Sequence, residues 1–171
     1  MKIRDIPQFT KDPNYAIDVP WSSLEIQLGR YAKSYQLELE PDFQRGHVWS
    51  ESKQIAFIEF CLRGGMSAQN IYFNCPGWMG RKTGVLQLVD GLQRVTAVLR
   101  FLKDEIPAFG LRLSEYEDGL VWNPSLRFHV NDLKTRAEVL TWYLEMNSGG
   151  VVHLDEELDR VRGLLKAEAG R

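Results

Sequence analysis

Along the chain, apolar residues recur either at helical spacing or in short alternating and continuous runs, so the pattern predicts several helices and brief strands in mixed order. The sharpest change of period lies at Val85-Leu86-Gln87-Leu88-Val89, a compact apolar run ending at Asp90-Gly91. Beyond it the apolar positions become Leu92, Val95, Val98 or Leu99, and Leu102, which read as a helix ended by Pro107. Strand, turn at Asp90-Gly91 and helix follow from that switch. Ser50 is a suitable N-cap for a helix from Glu51 to Arg63, stopped by Gly64-Gly65, with Ile55, Ile58 and Leu62 facing inward.

The remaining elements are shorter. Trp21 to Tyr31 reads as a helix with Leu24 and Leu28 on one face and Gly29 near its end. Gln36 to Glu40, Asn70 to Phe73 and Leu126 to Val130 read as strands. Lys134 to Met146 reads as a helix broken by Asn147-Ser148-Gly149-Gly150, and Asp155 starts a last helix to Ala167 with Leu158, Val161 and Leu165 inward. Pro7, Pro13 and Pro20 predict an irregular N-terminal arm over residues 1–19, followed by a single domain over 20–171. Helices and strands that mix without strict alternation predict a compact α+β (mixed α/β) fold.

Composition narrows the classes. With 44% apolar and 11% aromatic residues, the 171-residue chain can bury one core. A net charge of -2, from 21 basic and 23 acidic residues, does not favour binding by bulk attraction to nucleic-acid phosphates. Neither a signal-peptide run nor a stretch long enough for a membrane span is evident, so the expectation is a cytoplasmic protein without a membrane partner. Cys61, in an apolar helical run, reads as a buried free thiol. Cys75, before Pro76-Gly77, reads as a loop residue open to exposure.

Two Gln-Arg pairs carry the candidate chemistry. Asp90-Gly91-Leu92-Gln93-Arg94 sits where a strand meets a helix N-terminus, where free N–H groups and the helix dipole favour an anion such as phosphate. Arg94 offers a guanidinium fork, and Asp90 either caps the helix or holds a divalent ion. The plainer alternative makes Asp90 only a cap, and Gln93 and Arg94 a solvated face. Phe43-Gln44-Arg45-Gly46-His47-Val48-Trp49 supplies the second pair; Trp49 reads as core more readily than as a base-stacking ring. Gly77 to Thr83 imitates a P-loop but lacks a glycine before Lys82 and leads into a strand. His47, His129 and His153 lack metal-ligand spacing.

Pro41-Asp42-Phe43-Gln44-Arg45, Val48-Trp49, Val89 to Thr96 and Met146 to Gly150 with Glu156-Glu157-Leu158 together resemble, in order, the landmarks of the GmrSD-type N-terminal domain family over residues 20–165. That resemblance implies a ParB/sulfiredoxin-like fold and a DGQQR-type element used in nucleotide binding or hydrolysis. Leu92 departs from it, replacing the first glutamine. Carried over, it gives Asp90, Gln93 and Arg94 as catalytic residues, and Gln44, Arg45, Gly91 and Asn147 as ligand-binding residues, with Asp90 also holding Mg²⁺. The expected ligand is a nucleoside triphosphate or another phosphate-bearing molecule, with nucleic acid and a partner protein or oligomer as further partners. The implied activity is Mg²⁺-dependent NTP hydrolysis in a phage-defence or phage-encoded system. The alternative is a non-enzymatic binding module acting through a partner; a minimal nuclease ranks last. Ending at Arg171, without room for the family's downstream nuclease domain, the chain reads as a small stand-alone, phage-type form.

Overall fold

Four segments alternate or concentrate apolar residues enough to pair as strands: β1 (Tyr15–Pro20), β2 (Asn70–Asn74), β3 (Gln87–Asp90) and β4 (Ser125–Asn131). In this computed structural model they form one sheet of order β1-β4-β2-β3. The structure describes residues 15–44, 49–78, 84–121, 123–148 and 155–169, with Lys2, Ile6, Gly46 and Gly80 as isolated positions. β4 runs antiparallel to β1 and parallel to β2, and β2 runs antiparallel to β3. The described helices are α1 (Leu24–Tyr35), α2 (Glu51–Leu62), α3 (Leu92–Leu102), α4 (Arg136–Ser148) and α5 (Asp155–Ala169). Five helices and a mixed sheet make this the expected α+β fold.

Period-two alternation sends the strand side chains to two different cores. Ile71, Phe73, Leu88, Leu126, Phe128 and Val130 meet Leu24 and Tyr31 of α1, Phe57 and Ile58 of α2, and Val95 and Phe101 of α3 in the larger one. Val89 joins Phe43, Leu133, Leu140, Trp142, Tyr143 and Val161 in a smaller one, which α4 and α5 close. Each fully buried side chain of this size contributes roughly 1.5–3 kcal/mol of burial free energy. The smaller core therefore holds both Phe43, of the first Gln-Arg segment, and Val89, one residue before Asp90, in one packed unit.

Several expectations are corrected. Residues 15–19 of the expected irregular arm belong to β1, where Tyr15, Ile17 and Val19 alternate inward with exposed Ala16 and Asp18. Pro20 is tolerated because it closes an edge strand. Gln36 to Glu40 is reduced to a single parallel bridge between Glu38 and Gln87, since Gln36 turns left-handed at the end of α1 (φ 51) and Pro41 follows closely. Helix α1 runs through Gly29 to Tyr35, because buried Leu28 and Tyr31 on either side of the glycine anchor it. The inward face of α2 is Gln54, Phe57, Ile58 and Cys61, with Ile55 and Leu62 at its margin. Cys75 is buried, its thiol 3.5 Å from the Gly84 carbonyl. Cys61 is buried as expected, and burial pushes its thiol up to about 11.

Candidate functional site

The turn from β3 into α3 is built by an irregular ladder. Phe73 pairs with Leu88 and Tyr72 with Asp90, so β3 spends two residues, Val89 and Asp90, where β2 spends one. Such a bulge re-aims the side chains that follow it. Gly91 then caps α3 with φ 116, a left-handed conformation that disfavours any side chain. A Cβ there would lie 2.6 Å from Ile71 Cδ1 and 3.3 Å from the Ile71 Cα. Gly91 is therefore required by the close approach of the turn to β2.

Both glutamines hold the 41–49 segment against this turn. Gln44 Nε2 donates to the Leu88 carbonyl at 2.7 Å. Gln93, 9% exposed, accepts from the Trp49 N–H at 3.0 Å through Oε1 and donates to the Gly46 carbonyl at 3.2 Å through Nε2. Gln54 completes the clamp, donating to the Trp49 carbonyl at 3.1 Å while its oxygen accepts from Arg100 at 2.9 Å. Trp49 is half-buried, edge-on to Phe57 at 5.6 Å, with the Lys53 ammonium 5.0 Å from its ring centroid. Its packing matches the core reading better than that of a free stacking ring.

The other end of the segment is tied to α4 and α5. Arg136 Nη2 bridges both carboxylate oxygens of Asp42 at 2.9 and 2.7 Å, while its Nε lies 3.4 Å from Glu168 Oε1. Arg160 donates to the backbone carbonyls of Asp42, Phe43 and Gln44. Phe43 packs edge-on against Tyr143 at 5.4 Å. Sequence reading passed over Gln54, Arg136 and Arg160, since a lone polar residue on a helix carries no signal of its distant backbone partner.

Asp90 and Arg94 form an i,i+4 ion pair across the first turn of α3, with side chains 41% and 20% exposed. The pair is open to solvent on the Asp90 side and sits beside a helix start whose cap, Gly91, has no side chain. Arg45, named above as a ligand-binding residue, lies outside the described residues. Asn147, expected to begin the break after this helix, falls in the last turn of α4, where its amide donates to the Tyr143 carbonyl at 2.7 Å. Gly149 and Gly150 lie outside the described residues. Among the described residues no group of three or more His, Cys, Asp or Glu side chains could hold a metal ion.

Next to Asp90 in the ladder, Tyr72 stacks on His129 with centroids 4.8 Å apart and an interplanar angle of 18°. His129 Nε2 lies 3.0 Å from Asn70 Oδ1. Burial lowers the His129 pKa, the Arg127 charge adds to the effect and Asp18 opposes it. Desolvation disfavours the imidazolium, which favours a neutral ring in the stack.

The described helices include none long and apolar enough to cross a membrane. The chain has no match among curated proteins. The family described as GmrSD restriction endonuclease, N-terminal domain, matches residues 28–138, a stretch that runs from α1 into α4 and contains both Gln-Arg segments. With the match covering well over half of its length, the chain belongs to the GmrSD restriction endonuclease N-terminal domain family.

Proposed function

We propose that this domain binds a phosphate-bearing ligand, foremost a nucleoside triphosphate, on the β3–α3 turn as part of a restriction-type defence system. The observation that carries the reading is the part-exposed Asp90–Arg94 pair at the glycine-capped start of α3. First-turn N–H groups and the positive end of the helix dipole favour an anion there. The Arg94 fork matches phosphate oxygens. The family description names a restriction endonuclease, which supports a role in defence and contact with nucleic acid. Arg45 and Asn147 enter the proposal from the sequence resemblance.

In this reading Gln44 and Gln93 act as positioning residues, supported by the Gln44 hydrogen bond to the Leu88 carbonyl of β3 and the Gln93 hydrogen bond to the Gly46 carbonyl. Of the residues in this turn, Asp90 alone offers a carboxylate to a divalent cation. That donor set fits Mg²⁺ only where phosphates and water supply the other oxygens, as is usual for this ion. When bound, Mg²⁺ would supply charge neutralisation on the phosphates. Phosphate taking the Arg94 guanidinium would leave the Asp90 carboxylate available to that cation, so the two should bind together.

Binding without turnover is the second reading, favoured by the engagement of Gln93 in holding Trp49 and Gly46. Equilibrium dialysis with each labelled NTP, with and without Mg²⁺, tests the site. Phosphate release in the same mixtures separates hydrolysis from binding. Absence of binding for every NTP would overturn the proposal.

A further inference from the structure

Three pairings run across the whole sheet in one row: Ala16 with His129, His129 with Tyr72, and Tyr72 with Asp90. Neighbouring strands lie ~4.8 Å apart, so Tyr72 is one strand and His129 two strands from the Asp90 carboxylate. The row thus leads from the proposed phosphate site onto a pair of parallel aromatic plates. Both rings are half-buried and held in place: Trp142 meets Tyr72 edge-on at 6.0 Å and 89°, and Asn70 fixes the imidazole. Past His129 the row ends on Ala16, which is exposed and contributes only a methyl group. The neighbouring cross-strand pair, Asp18 and Arg127, is exposed and loosely joined at 3.8 Å, which leaves a donor and an acceptor for a polar ring edge.

We propose that the Tyr72–His129 stack is a nucleobase subsite, placing the base of the ligand over the imidazole and above Ala16 while its phosphates lie at Asp90 and Arg94. This rests on the phosphate reading above. A third aromatic plate extends an existing stack without reorganising it, and base–aromatic stacking tolerates any base because each has a π-face. Phosphate contacts hold the ligand; the stack distinguishes a nucleotide from a bare polyphosphate.

The test compares tripolyphosphate with an NTP, both with Mg²⁺, on the intact chain and on His129→Ala, His129→Phe and Tyr72→Leu, with thermal melts as folding controls. His129→Ala should weaken NTP binding about tenfold or more and leave tripolyphosphate unchanged. His129→Phe, which keeps a plate, should restore most of the loss; this arm holds even where Tyr72→Leu disturbs the α4 packing. Equal binding of both ligands by every variant would overturn the subsite and leave the phosphate reading standing. Failure of both ligands on the intact chain would overturn the two together.

Discussion

The side chain of Gln93 is bonded to the backbone of Trp49, its oxygen accepting that N–H at 3.0 Å across 44 positions of sequence. The same carboxamide donates to the Gly46 carbonyl. Gln93→Leu keeps the bulk but removes both hydrogen bonds. It should destabilise the domain by about 1–2 kcal/mol, since the exposed Gly46 can turn its carbonyl to water while the half-buried Trp49 N–H loses its partner. Urea denaturation measures this, and an unchanged midpoint would detach Gln93 from the clamp.

Gly91→Ala should be worse tolerated than any other small change at the turn. The backbone strain at φ 116 costs about 1–3 kcal/mol. The new Cβ also meets Ile71 Cδ1 at 2.6 Å, which adds an overpacking cost of about 1–3 kcal/mol. Ile71→Val removes that methyl, so the double variant should melt above Gly91→Ala alone. No recovery would mean that φ alone sets the cost.

Among the described residues, the hydrogen-bonding anchor of the first segment on α5 is Arg160. Arg160→Ala removes hydrogen bonds to the carbonyls of Asp42, Phe43 and Gln44, and should cost about 1–2 kcal/mol given its exposure. Hydrogen exchange should quicken at the Gln44 amide, which bonds to the Pro41 carbonyl. Exchange unchanged there would show that the Phe43 packing suffices.

His129 makes stability depend on pH in a defined direction. Its folded pKa is lowered, chiefly by burial and then by Arg127, against Asp18, so the unfolded chain binds the proton first as pH falls below ~6.5. The contribution is complete above that value and is lost as pH falls toward the folded pKa, below which this group adds no further slope. Between pH 7.5 and 5.5 the unmodified chain should lose more stability than His129→Gln, measured by urea midpoints. Equal losses would remove His129 as the cause.

Much of this architecture could be read from residue spacing. The β3–turn–α3 unit stands where the change of period put it, because Leu88 and Val89 serve two cores while Leu92, Val95 and Val98 serve one helix face. Ser50 caps α2 as expected, its side chain accepting from the Lys53 N–H. β1 escaped because Pro13 before it and Pro20 at its end masked a three-residue apolar alternation whose partner, β4, lies more than a hundred positions away. Asp90 and Arg94 were marked by their place at the strand-to-helix turn, while their i,i+4 ion pair was not expected. The roles of Gln44 and Gln93 were not legible, since a carboxamide serves a ligand or a backbone equally well until the tertiary partner is known. Tyr72 and His129 were invisible as a pair for the same reason: their stacking depends on the parallel register of β2 and β4.

The central claim is that Arg94 grips phosphate, and Arg94→Ala tests it most directly. Arg94 lies off the buried face of α3, formed by Leu92, Gln93, Val95, Val98 and Phe101, and its ion pair with Asp90 is part-exposed. Losing that pair should cost no more than about 1 kcal/mol. Calorimetric titration with Mg²⁺ and an NTP should show binding to the unmodified chain and a loss of about tenfold or more in Arg94→Ala, at nearly unchanged melting temperature, with Arg94→Lys recovering little of it. Undiminished NTP binding by a folded Arg94→Ala variant, or binding by neither protein, would contradict the account.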